Sequence, residues 1–158
     1  LKKAQKRPRV NNQTLAEAVS GHSGMQPDGP QALTYQDLRF TFEVSPSSLL
    51  LVAHQGAPAH ILLAPESDYT RSAESLGVSD EAKIGSSEFD QKYVIRDVAG
   101  QAKQMLTPAV IRLVEALEPF IELELCDDMV RLLKRPQDQS SALKDIETLG
   151  ELCRTLNA

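Results

Sequence analysis

Leu38, Phe40, Phe42 and Val44 alternate with Arg39, Thr41 and Glu43. A period of two with one apolar side predicts a half-buried strand. After the turn Ser45-Pro46-Ser47-Ser48, the run from Leu49 to Ala53 is continuously apolar and predicts a strand covered on both faces. Gly56 and Pro58 break that run, and Ile61 to Leu63 reads as another short strand. Together these segments predict an antiparallel meander. Phe89 to Arg96 predicts a further strand, with Tyr93 and Ile95 on one side and Val94 on the other. Ile121, Leu123 and Leu125 alternate with Glu122, Glu124 and Cys126, Asp127-Asp128 turns the chain, and Met129 to Lys134 returns. That is a hairpin with one face inward.

Helical spacing appears between these strands. Ala102, Met105, Leu106, Val110, Leu113, Val114 and Leu117 recur at three- and four-residue intervals from Gly100 to Leu117. Pro108 removes a ladder donor and crowds the preceding turn, so two helical pieces are expected, the second capped by Thr107. A last helix follows Ser140 or Ser141, with Leu143, Ile146, Leu149, Cys153 and Leu156 along one stripe. The stripe is narrow, which suits a helix lying on a sheet. Near the start, Thr14 and Glu17 have capping-box spacing ahead of a short helix that Gly21 stops. Gly21, Gly24, Pro27, Gly29 and Pro30 mark a linker. Residues 65–83 read as a long polar loop with a helical turn near Ser72 to Leu76. The organisation expected is a basic arm over 1–13, a short helix and Gly/Pro linker over 14–32, and one α+β domain over 33–158. Its antiparallel sheet has about five or six strands, with the broken helix and the C-terminal helix packed on one face.

Composition supports such a core. Of the 158 residues 41% are hydrophobic and 25% charged, but only 4% are aromatic and there is no Trp, so Leu, Val and Ile must fill it. Charge is uneven. Lys2, Lys3, Lys6, Arg7 and Arg9 take five of the seventeen basic residues, leaving twelve against twenty-two acidic ones, a balance of −10. An acidic body argues against nucleic acid as a partner, because phosphate contacts need a basic face. The basic opening looks like the cytoplasmic flank of a membrane span upstream of Leu1, where positive charge concentrates. An ordinary solvated arm is the alternative. No apolar run reaches the ~20 residues that span a bilayer. Cys126 and Cys153 fit no metal spacing and read as buried free thiols of a reducing compartment.

Candidate chemistry is sparse. His54 and His60 flank Gly56 and Pro58, where a turn can bring them together. Two imidazoles without a third ligand do not make a metal site, so no metal and no cofactor is expected. Asp127 and Asp128 suit a turn for backbone reasons. Asp90, beside Phe89, is expected to make a turn hydrogen bond, with catalysis as the lesser reading. Cys126 lies next to acidic residues that raise its pKa and weaken it as a nucleophile. Nucleotide-binding, nucleophile-elbow and zinc-protease motifs are missing from the sequence.

One pattern reaches further. Ile84-Gly85, then Phe89-Asp90, Tyr93-Val94-Ile95-Arg96 and Leu106-Thr107-Pro108, followed by a hairpin and a closing helix, resembles an uncharacterised prokaryotic family of membrane-anchored proteins. The resemblance covers roughly residues 35 to 156 and implies a soluble α+β domain behind a membrane segment, with no activity attached. The first strands depart from the pattern, since its Gly-Tyr-rich entry is reduced to Thr34-Tyr35. The function expected is a non-catalytic module at the cytoplasmic face of a membrane that binds a protein partner or senses a small ligand. A soluble cytoplasmic protein is the alternative location. The alternative functions are a hydrolase using His54 or His60 with an acidic partner from the 65–83 loop, and a structural assembly domain.

Overall fold

In a computed structural model, which describes residues 8–66, 84, 85, 87–98 and 100–158, the apolar segments pair into one antiparallel sheet of eight strands. In chain order the elements are α1 (Asn12–Gly21), β1 (Met25–Pro27), β2 (Ala32–Tyr35), β3 (Leu38–Val44), β4 (Leu49–Ala53) and β5 (Ile61–Pro65), then α2 (Ser87–Lys92), β6 (Tyr93–Asp97), α3 (Ala102–Met105), α4 (Pro108–Ala116), β7 (Glu122–Leu125), β8 (Val130–Lys134) and α5 (Gln139–Leu156). The strands lie in the order β1-β2-β3-β4-β8-β7-β5-β6. The sheet is thus wider than the five or six strands expected.

Of the two added strands, β1 comes from the supposed linker and β2 begins at its end. Met25 to Pro27 pairs with Tyr35 to Leu33, and a two-residue turn at Gln36 and Asp37, both with positive φ (49° and 67°), folds β2 onto β3. Such a turn matches the right-handed twist of its strands. The expected meander is also interrupted. The β7–β8 hairpin enters between β4 and β5, with Leu51 opposite Leu132 and Leu63 opposite Leu123. Inward-facing leucines on both flanks gain apolar neighbours that way, each fully buried Leu being worth about 1.5–3 kcal/mol over exposure.

Burial follows strand parity. Phe40, Phe42, Leu49, Leu51, Ile61, Leu63, Leu123, Leu125, Val130 and Leu132 are buried, while Arg39, Thr41, Leu50, Val52, Leu62, Glu122, Glu124, Arg131 and Leu133 between them are half-buried or exposed. The continuous run of β4 is therefore covered on one face, not two. Helix α5 packs on β4 and β8 through Ile146, Leu149, Leu152 and Cys153, with α1 and α4 against it. The break at Pro108 is as the sequence predicts: Thr107 Oγ1 accepts from the Val110 amide at 3.3 Å, and Pro108 opens α4.

Several local boundaries differ from the expectation. Phe89 belongs to α2, not to a strand; its ring packs 4.8 Å from that of Tyr93, which stacks on Phe120 at 5.5 Å. Phe120 is buried and Ile121 is 40% exposed, because the chain enters the sheet only at Glu122. Asn11, not Thr14, caps α1: its side chain accepts from the Thr14 amide at 2.9 Å while Thr14 Oγ1 accepts from the Asn11 amide at 2.8 Å. Asp138, not a serine, caps α5 by accepting from the Ser141 amide at 2.8 Å. In each case the residue just before the helix accepts from the amide three positions on, one of the first-turn donors that has no partner within the helix. The basic arm through residue 7 and the 65–83 loop from residue 67, with its turn near 72 to 76, lie outside the described residues. Among those described, no helix is long and apolar enough to cross a membrane.

Candidate functional site

The β5–β7 ladder decides which polar groups meet. Ile61 pairs with Leu125 and Leu62 with Glu124. One step beyond, His60 stands opposite Cys126, on the face where Glu124 also lies, since side chains two apart share a face. The imidazole, the Glu124 carboxylate and the Cys126 thiol each offer a donor atom, and these three atoms lie within 4.8 Å of one another. His60 is exposed, Glu124 half-buried and Cys126 buried.

The backbone around this cluster is pinned from several sides. The Cys126 amide donates to Met129 O at 2.9 Å across the Asp127–Asp128 turn, and Cys126 O accepts from the Ala57 amide at 2.8 Å. His60 O accepts from the Val98 amide at 3.0 Å. From α5, Asn157 Nδ2 donates to Gly56 O at 2.8 Å and Cys153 Sγ to Gln55 O at 3.7 Å. Gly56 presses on the Asp127 carbonyl so closely that a Cβ would overlap it. Glycine is required there by that contact.

Electrostatics separate the members. Burial, with Glu124 and the Asp128 and Asp127 carboxylates behind it, pushes the Cys126 thiol up to about 11. Such a thiol is protonated near neutrality and is a poor nucleophile. Burial, against the opposing pull of Arg154, pushes Cys153 higher, to about 12, and both cysteines are free. Glu124 is engaged by Arg131, whose Nε donates to Oε1 at 3.3 Å while its Nη2 reaches Glu122 Oε2 at 3.1 Å.

The two histidines singled out in the sequence do not share a turn site. His54 follows β4 and shares a 2.8 Å hydrogen bond with Thr41 Oγ1; β8 and β7 lie between β4 and the strand that follows His60. Asp90 is a turn cap, as expected: Oδ1 accepts from the Ile84 amide at 3.0 Å and Oδ2 from the Gly85 amide at 3.2 Å. The acidic partner expected from the 65–83 loop falls outside the described residues beyond Glu66. The chain matches no protein-family model and no curated protein.

Glu124 and Cys126 escaped the sequence reading as partners of His60. Their own spacing, two apart on a strand, was visible, but the pairing of β5 with β7 joins segments about sixty residues apart and leaves no local mark. A second polar group was equally hidden. Lys134 Nζ donates to Asp145 Oδ2 at 2.8 Å and to Leu117 O at 3.1 Å beneath α5, with side chains 2% and 8% exposed. This pair lies under the helical layer, on the opposite face of the sheet from the cluster.

Proposed function

We propose that this chain is a non-catalytic binding module that senses a small ligand at the His60–Glu124–Cys126 end of its sheet, held at the cytoplasmic face of a membrane. The single observation behind the reading is the convergence of three unlike donor groups, from β7 and from the residues just outside β5 and β7, within 4.8 Å. Their chemistry favours binding over turnover. The thiol is held protonated, with its pKa at about 11. Glu124 is tied to Arg131 at 3.3 Å, so its carboxylate is already engaged. The basic stretch from Lys2 to Arg9 supports the membrane-facing location.

Thermal melting against a panel of cations, anions and small metabolites tests the reading. A ligand at a hundred times its Kd adds about 2.7 kcal/mol, which raises Tm by roughly 5–10 °C for a domain of this size. The expected result is a saturable rise with one ligand class that His60→Gln and Glu124→Gln both diminish. A panel that leaves Tm unmoved, or hydrolysis of model esters that His60→Gln abolishes, overturns it.

A further inference from the structure

We infer that the ligand of the His60–Glu124–Cys126 cluster is a thiophilic divalent transition cation of the zinc type. This deepens the binding reading above and rests on it. The donor set is the first reason. One sulfur, one imidazole nitrogen and one carboxylate oxygen is a mixed soft and borderline set that suits Zn²⁺ and Co²⁺, and suits Mg²⁺ and Ca²⁺, which take oxygen ligands, poorly.

Placement is the second reason. His60 and Cys126 occupy opposed positions one step beyond the Ile61–Leu125 pair, and Glu124 sits one step inward on the same face. Cys126 and His60 are held by the backbone bonds to Met129, Ala57 and Val98, at 2.9, 2.8 and 3.0 Å. The three donor atoms already lie within 4.8 Å of one another, and the exposed imidazole is the one with room to turn toward the other two. Arg131 braces Glu124 from behind at 3.3 Å, the arrangement in which an outer group orients a ligating carboxylate. Asp127 and Asp128, at the adjoining turn, add negative potential that favours a cation over an anion.

Three protein donors leave a tetrahedral ion one open position, filled by water or by a donor from a partner. On binding, the thiol ligates as thiolate and its proton leaves to solvent.

The test is titration of the metal-free full chain with Co²⁺ under reducing conditions, reading the thiolate-to-cobalt charge-transfer band in the near ultraviolet. The expected result is saturation at a single equivalent, bleaching by Zn²⁺, and no effect of excess Mg²⁺. Cys126→Ser removes the band, whereas Cys153→Ser keeps it. His60→Gln weakens binding by more than about tenfold, since even outer-shell losses cost that much. His60 is exposed, so this variant decides the matter even if Cys126→Ser fails to fold. No band, a band that survives Cys126→Ser, or unchanged affinity in His60→Gln overturns the cation. A melting shift by a non-metal ligand without the cobalt band removes the cation and keeps the binding reading; no shift and no band removes both.

Discussion

Two cations three residues apart on β8 meet opposite fates. Lys134 points under α5 and reaches Asp145 at 2.8 Å, with side chains 2% and 8% exposed. Arg131 points to the other face and bridges Glu122 and Glu124 at 3.1 and 3.3 Å, with side chains 22–37% exposed. Similar lengths conceal different energetics. The buried pair has lost its water and depends on each partner to offset that loss, so either one alone is a liability. The Arg131 fork keeps much of its hydration, so each contact adds little. Position on the strand, odd or even, therefore separates a structural ion pair from a brace next to the candidate site.

Removing one partner of the buried pair gives the sharpest break. Asp145→Ala leaves an ammonium under α5 and is expected to cost about 3–5 kcal/mol by urea melting. The double change Lys134→Met with Asp145→Leu is expected to restore stability, or to exceed the parent by about 1–4 kcal/mol. A double variant as weak as the single one shows that the pair shapes the fold rather than being tolerated by it.

The pair also carries a pH signature. Burial raises the Asp145 carboxyl above its ordinary 3.8, outweighing the Lys134 ammonium that pulls it down. The native state then holds this proton more tightly than the unfolded chain. Its contribution is complete below pH 3.8 and is lost as pH rises through the raised value. The stability margin of the parent over Asp145→Asn is accordingly expected to narrow as pH rises across that window. A margin that widens shows the lysine's attraction winning over burial.

On the other face the effects are smaller. Arg131→Met is expected to change stability by about 1 kcal/mol or less, and by less again in high salt. A loss near that of Asp145→Ala erases the contrast between the two faces. The smallest effect belongs to the β2–β3 turn, which lies away from both clusters. Asp37 adopts φ 67°, a left-handed conformation that costs a non-glycine residue roughly 1–2 kcal/mol. Asp37→Gly relieves it and is expected to add up to about 1 kcal/mol after the chain-entropy cost of glycine.

The thiols offer a kinetic version of the same contrast. Cys126, at about 11, lies at a strand end, while Cys153, at about 12, lies in the core. An aromatic disulfide reagent is expected to label Cys126 first, faster as pH approaches 11, and Cys153 only on unfolding. Equal rates in the native protein contradict the burial assigned to Cys153.

Much of the fold was legible because its signals are local. The alternation at Leu38–Val44 and Leu123–Leu125, the Thr107-Pro108 restart and the closing helical stripe each involve neighbours a few residues apart. Misreadings arose where local signals were weak or shared. Short β1 and β2 lie among Gly and Pro residues that also suit a linker, and the Phe89–Arg96 run is apolar enough for a strand while Asp90 caps a turn that starts a helix. The candidate site was visible only in part. His60 stood out by type and Cys126 by its acidic neighbours, but nothing near either residue names the other.

By itself the sequence determined the segments of β3, β4, β5, β7, β8, α4 and α5 and the inward side of β3 and of the β7–β8 hairpin, because side-chain periodicity and capping act within a turn or two of chain. Tertiary structure alone decided that the β7–β8 hairpin enters between β4 and β5, that His60 meets Cys126 and Glu124, and that Lys134 finds Asp145 under α5. Those outcomes depend on strand order and register across distant segments. They are set by the summed burial of the whole sheet, which no local pattern encodes.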